Sequence, residues 1–230
     1  MLKGSILIII SLAVFSCQQK SECNLAETIF AKPDTTQNKL FTLNDIWSMS
    51  DSLEMELCKN RNELNPFFLE TSGLCVPFSI TIDCNEGAMN CGQRQRNVLE
   101  IAVQDFKING EQSILFENEV ISIKELDSVY RLAYLNNGKS LNYADVPHKT
   151  IVFFAWKPNS DKNFVAEVLR ELLIANARII NAEIPDTVEN KCNYFQNNRK
   201  MFKSKYPFKL SIGYYGRDFS MIPPPPPPPF

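Results

Sequence analysis

From residue 97 onward, apolar runs and helical stripes alternate along the chain. Val98, Leu99, Ile101 and Val103 predict a strand and Phe106-Lys107-Ile108 a second, with Asn109-Gly110 placing a hairpin or meander beside them. Ser122 and Glu125 have the spacing of a capping box. Leu126, Val129, Tyr130, Ala133 and Tyr134 then recur at three and four, one apolar face of a helix that Asn136-Asn137-Gly138 stops. The unbroken run Ile151 to Trp156 reads as a central strand covered on both faces. Asn159-Ser160-Asp161 caps a second helix, burying Phe164, Val165, Val168, Leu169, Leu172 and Leu173 and leaving Lys162, Glu167, Arg170 and Glu171 in solvent. Arg178 to Ile184 alternates as a closing strand before Pro185. The sum is an α+β two-layer sandwich, β-β-α-β-α-β, with helices on one face of a mixed sheet.

Upstream the pattern is weaker. Residues 18 to 44 are polar and suit a tether. Asn44 or Asp45 is the expected cap of a helix running to about Lys59, and Asn65-Pro66 stops it. Val76 to Ile82 alternates as a short strand with Pro77 at its beginning or on an edge.

At the N-terminus, Lys3 precedes the apolar stretch Ile6 to Phe15, and Ser16-Cys17 follows. A positive start, a short apolar core and a small residue before a cleavage point describe a secretory signal peptide. The stretch falls short of the roughly 20 residues a membrane-spanning helix needs. Val14-Phe15-Ser16-Cys17 resembles the bacterial lipoprotein lipobox, which makes Cys17 the acylated first residue of the mature chain. An ordinary signal peptide cut near Ser16 is the alternative. Either way the remainder lies outside the cytoplasm, and acylation on Cys17 (palmitate among the expected fatty acids) anchors it to a membrane facing the periplasm or the cell surface.

Export changes the meaning of the seven cysteines. Without Cys17 there remain Cys23, Cys58, Cys75, Cys84, Cys91 and Cys192, enough for three disulfides in fifteen connectivities. Zinc and thiol-redox readings are disfavoured because no CxxC pair occurs and His148 is the single histidine. The expected segments are a signal peptide (1–16), a lipidated tether (17–44), a cysteine-rich, partly helical region (45–96), an α/β domain (97–184), a C-terminal extension (185–222) and a polyproline tail (223–230).

Three stretches together resemble the periplasmic domain of the ExbD/TolR biopolymer-transport family: Phe106-Lys107-Ile108-Asn109-Gly110 with Ile123-Lys124-Glu125-Leu126, Ile151 to Trp156, and Phe164 to Leu169 with Ala177-Arg178-Ile179-Ile180. The resemblance is one of pattern over about residues 97–184. It implies the fold above, a role in binding within the cell envelope and, from the family alone, a homodimer. Ala155-Trp156-Lys157 stands where family members usually carry Ala-Asp. A lipid-anchored chain also lacks the membrane-spanning helix whose carboxylate moves the ion. Energy transduction is therefore not carried over.

Charge and the remaining candidates narrow the function. Twenty-four Lys and Arg against 26 Asp and Glu, a net charge of −2 with no Lys/Arg run, argue against nucleic acid as a partner. His148 reads as a surface residue. Asp45, Asp51, Glu54 and Glu56 read as a solvated acidic face. Asp83-Cys84-Asn85-Glu86-Gly87 lacks the alternation of a calcium loop, and no phosphate-cradling or nucleophile-elbow sequence occurs. Lys200, Lys203, Lys205 and Lys209 interleave with Phe202, Tyr206 and Phe208. The aromatics are read as packing on the domain, with anionic lipid or glycan contact as the alternative. Tyr214 to Arg217 is read as a last strand or a docking turn. The seven prolines Pro223 to Pro229 form a polyproline rod of about 22 Å, whose partner-binding candidates are Pro223, Pro226, Pro229 and the terminal Phe230. No catalytic residue, metal or cofactor is assigned. The reading is a non-enzymatic envelope lipoprotein that binds or scaffolds an envelope protein complex or peptidoglycan. A hydrolase or thiol-redox enzyme, its site assembled from distant residues, is the alternative.

Overall fold

The computed structural model describes residues 23–33, 39–47, 67–81, 96–108, 111–157 and 159–214. Eight strands form one mixed sheet in the order β1-β2-β3-β8-β7-β4-β5-β6. They are β1 (Leu40–Thr42), β2 (Phe67–Thr71), β3 (Leu74–Thr81), β4 (Val98–Ile108), β5 (Glu111–Phe116), β6 (Glu119–Ile121), β7 (Ile151–Trp156) and β8 (Leu210–Tyr214). Strands β3, β8, β7 and β4 run parallel at its centre, and β2 and β5 flank them antiparallel. The helices are α1 (Leu25–Ile29), α2 (Leu43–Trp47), α3 (Ile123–Tyr134), α4 (Lys162–Glu183), α5 (Lys191–Asn197) and α6 (Arg199–Lys205). The fold is α+β, as the periodicity predicts.

Alternation decides which side of the sheet is covered. In β7, Val152, Phe154 and Trp156 are fully buried while Ile151 and Phe153 are half-buried. Register extends the buried row through Leu99 and Ile101 on β4, Leu210 and Ile212 on β8 and Phe78 on β3. The crossovers β6-α3-β7 and β7-α4-β8 step the same way across the sheet. A right-handed connection then puts α3 and α4 over the same face, where the two helices touch each other. Leu126, Tyr130, Ala133 and Tyr134 on α3 and Val165, Val168, Leu169, Leu172 and Leu173 on α4 join one core with the buried row. Each such fully buried large side chain stabilises the fold by about 1.5–3 kcal/mol.

On the opposite face Phe153 lies between Glu100 on β4 and Ser211 on β8, and the β8 side chains beside it are small. An added Cβ on Gly213 would sit 2.1 Å from the Phe153 ring, so the glycine is what makes room for that aromatic.

Local signals operate where expected. Glu125 accepts both the backbone N–H of Ser122 (2.9 Å) and its hydroxyl (2.8 Å), opening α3. Asp161 accepts from the N–H groups of Asn163 and Phe164 and caps α4. The helix at residue 43 is capped differently from expectation. Thr42, not Asn44 or Asp45, is its cap, and the Asp45 carboxylate accepts the Thr42 N–H at 2.6 Å while Asp45 N–H donates back to the Thr42 hydroxyl. The expected continuation of this helix beyond Trp47 lies outside the described residues.

The Ser122 backbone bond first, and its hydroxyl second, hold the Glu125 carboxyl below its ordinary value. A lowered folded-state pKa stabilises above the ordinary carboxylate range, and that stabilisation disappears as pH falls through the folded value. Wild type and Glu125→Gln are therefore expected to differ in urea midpoint at pH 7 and to converge as pH falls through the folded-state value; a difference independent of pH would contradict this box.

Several elements depart from the pattern, and Pro77, expected at the beginning of a strand or on an edge, is the fourth residue of β3, inside the sheet between β2 and β8. The closing strand expected over 178–184 is the last two turns of α4, and the strand that closes the order is β8. No Gly or Pro interrupts the 3.6 period between Phe164 and Ile184, so Ile179 and Ile180 stay in the buried stripe and Pro185 ends the helix. The strands expected at 98–103 and 106–108 are one strand, β4, whose pairing with β5 shifts register between Val103 and Lys107. Two hairpins have no counterpart in the expectation. Ser72-Gly73 joins β2 to β3 and Glu117-Asn118 joins β5 to β6, all four residues at positive φ, as a two-residue type I′ turn requires. Strands from the segments 17–44, 45–96 and 185–222 are thus hydrogen-bonded into the sheet of the 97–184 segment.

Candidate functional site

The stretch expected to be a plain tether is partly built into the fold. Asn24 caps α1 by accepting the Glu27 N–H and donating to its carboxylate at 2.7 Å. Ala26, Ile29 and Phe30 are buried. The Phe30 ring meets Phe208 edge-on at 5.8 Å, and its carbonyl accepts the Cys75 N–H at 2.7 Å. Five helical residues have no stability of their own. What holds them is a disulfide from Cys23 to Cys192 in the first turn of α5, with Cα atoms 5.9 Å apart, and the Thr28 hydroxyl lies 3.0 Å from the Cys192 sulfur.

Helix α5 carries that bridge into a basic hairpin. Asn190 caps α5, and Asn198 ends it and precedes α6. Phe195, Phe202, Tyr206 and Phe208 are buried in the core, so the aromatics of this segment pack on the domain as the sequence reading favoured. From Lys191 to Lys209 the chain has six basic residues and no acidic one, leaving eighteen basic against twenty-six acidic residues elsewhere. Lys205 pairs with Glu183 at 2.7 Å, Lys191 with Asp186 at 3.5 Å, and Lys209 donates to the His148 carbonyl. Arg199, Lys200 and Lys203 are exposed and take part in none of the ion pairs among the described residues. They surround Met201, which is 50% exposed. Partial burial first, and the Arg199 cation second, push the Lys203 ammonium below its ordinary value. Gln196 to Met201 line an open hollow of about 490 Å³ without a carboxylate.

Other predicted residues take bland places. His148 is exposed in a 3₁₀ turn. Asp45 is spent on the Thr42 cap. Cys75 is a free, buried thiol, and burial first and Glu70 second push its pKa up, away from a reactive thiolate. Trp156 stacks on Trp47 at 5.4 Å, and the Lys162 ammonium lies 5.1 Å from the Trp47 ring. Tyr130 and Tyr134 are held protonated by burial beneath α4, where Tyr134 donates to the Pro207 carbonyl at 2.7 Å. Cys17, Cys58, Cys84, Cys91, Asp51, Glu54, Glu56, the 83–87 loop, Pro223, Pro226, Pro229 and Phe230 lie outside the described residues. Among the described residues no three His, Cys, Asp or Glu gather as metal ligands, and no helix is long and apolar enough to cross a membrane.

Comparison with protein-family models, curated proteins and solved structures gives no match for this chain.

Crowding of Cys75, Cys84 and Cys91 within seventeen residues points to a bridge among them, with Cys58 a natural partner for another. The bridge among the described residues is instead the long-range Cys23–Cys192, which sequence reasoning missed, and the candidate Cys75 is a free thiol. Sequence reasoning named four of the lysines but passed over Lys191, Arg199 and the absence of acid between them. That absence was readable.

Proposed function

We propose that this chain is a non-enzymatic lipoprotein of the bacterial cell envelope. Fatty acids on Cys17 hold it at a membrane, outside the cytoplasm, and its ExbD/TolR-like α/β sandwich binds an envelope protein complex or peptidoglycan. The observation that carries the reading is the Cys23–Cys192 bridge. Disulfides form and persist in oxidising compartments, which agrees with export by the Lys3 to Cys17 leader. The bridge begins six residues after the expected acylation point, so an anchor there is an anchor on the folded domain.

Further support comes from the chain order. Three antiparallel strands, a helix, a strand and a long helix succeed one another from Val98, and after two short helices β8 supplies the closing strand. The free thiol of Cys75 has the wrong polarity of shift for redox work. Neither the hollow over Gln196 to Met201 nor the exposed His148 brings an acid and a base together.

The test is cross-linking in intact cells followed by purification of the full chain from solubilised envelopes, beside sedimentation with purified peptidoglycan. One defined envelope protein, or co-sedimentation, is expected. Turnover by the purified chain in an ester, glycoside or thiol-exchange assay, with neither form of capture, would overturn the binding role. Repeating the capture without residues 223–230 decides the tail: unchanged recovery removes Pro223, Pro226, Pro229 and Phe230 from the mechanism.

A further inference from the structure

The bridge and the basic hairpin belong to the same short helix, and this constrains how the domain stands on its membrane. Cys17 and Cys23 are six residues apart, so a fully extended backbone separates them by at most about 22 Å. Cys23 is bonded to Cys192, and α6 begins one residue after α5 ends, two helical turns beyond Cys192. An anchor on Cys17 therefore keeps this part of the domain, and not its far edge, beside the lipid. What it presents there is acid-free from Lys191 to Lys209, on a chain otherwise rich in acid.

We propose that Arg199, Lys200 and Lys203, around the half-exposed Met201, lie on the anionic headgroups of the membrane that holds the anchor. The proposal rests on acylation of Cys17 and goes beyond it, since anchoring alone leaves the domain free to turn. Charge complementarity sets the occupant: these three cations lack ion-pair partners among the described residues, whereas Lys205 and Lys191 are already engaged. Screening confines such attraction to about 8 Å in physiological salt, so the surface acts only at contact, and the link of at most about 22 Å keeps it within reach of contact. Met201, projecting among the cations, adds an apolar contact at headgroup depth. The fatty acids hold the protein; the cations set its orientation.

The experiment reconstitutes the full acylated chain, as Met201→Trp, in vesicles of phosphatidylcholine alone or with added phosphatidylglycerol. The readout is quenching of the new tryptophan by brominated acyl chains, with the parent chain subtracting Trp47 and Trp156. Quenching is expected in the anionic vesicles, and it should fade as salt is raised. Adding Arg199→Gln, Lys200→Gln and Lys203→Gln is expected to lower the docked-to-undocked ratio about 100-fold, near fivefold per charge. The same charge loss at Lys124, Arg131 and Lys139, exposed on and after α3, should leave it unchanged. Equal quenching in both vesicle types, or equal loss from the two triple variants, overturns the docking while the chain still floats with the vesicles. A chain that carries no fatty acid and does not float overturns the anchor, and the docking with it. Binding of the same cations to a soluble acidic polysaccharide, with anionic vesicles ignored, assigns the surface to glycan and also overturns the proposal.

Discussion

Replacing both Cys23 and Cys192 with serine is expected to lower the unfolding free energy by about 2–5 kcal/mol. The bond closes a loop of 169 residues, so its removal returns far more freedom to the unfolded chain than a local bridge would. In the folded state α1 has no other covalent hold. Its five residues, the buried Ala26 and Ile29 and the contact of Phe30 with Phe208 would depend on packing alone. For a chain of this size the change corresponds to a fall in melting temperature of roughly 5–15 °C. Calorimetry of the double variant beside wild type, both non-reduced, checks it. Hydrogen exchange locates it, because the Cys75 amide that donates to Phe30 should lose protection with α1. A shift under 1 kcal/mol would mean that the N-terminal segment is held by its apolar residues and that the bridge is incidental.

Changing Cys17 to alanine is expected to abolish fatty-acid incorporation outright. Attachment of the fatty-acid-bearing glyceride needs the sulfur, and no other cysteine stands next to the apolar stretch Ile6 to Phe15. Each buried methylene contributes about 0.8 kcal/mol to membrane retention, and a single chain binds only marginally, so firm anchoring depends on more than one. The variant should take up an alkyne-tagged fatty acid at background level and keep residues 1–16, while its disulfide-bonded fold is unaffected. Undiminished labelling would move the anchor elsewhere.

How much of this was legible follows from the range of each signal. The capping box at Ser122, the Asp161 cap and the apolar run Ile151 to Trp156 are local, and each element formed where its residues indicate. The helix over 178–183 was misread because Ile179 and Ile180 fit a period of two over seven residues and a period of 3.6 over twenty-two; the longer pattern wins, since nothing breaks it. Strand β6 was missed for want of the usual turn chemistry, whereas β2 and β5 stand beside ordinary turn dipeptides, Ser72-Gly73 and Asn109-Gly110, and went unread. Glu117 is a poor type I′ residue, tolerated where its carboxylate accepts the Glu100 N–H at 2.9 Å. Strand β8 reads as a half-buried edge, since Ser211 and Gly213 alternate with Leu210 and Ile212, yet it lies between β3 and β7. Small residues there leave space for Phe153, a requirement set by a strand some sixty residues earlier. The site was legible in composition and not in geometry. Lysines could be counted from the chain, but only the fold tethers them, through Cys192, to the N-terminal arm.

The proposed binding role and orientation both rest on export and acylation at residue 17, which intact mass spectrometry of the native protein from membranes tests most directly. The account predicts a mature chain that starts at Cys17, heavier by its glyceride and fatty acids, with Cys23 and Cys192 recovered as one linked peptide. A chain still beginning at Met1, with unmodified Cys17 and reduced Cys23, recovered from the cytosol, would contradict it.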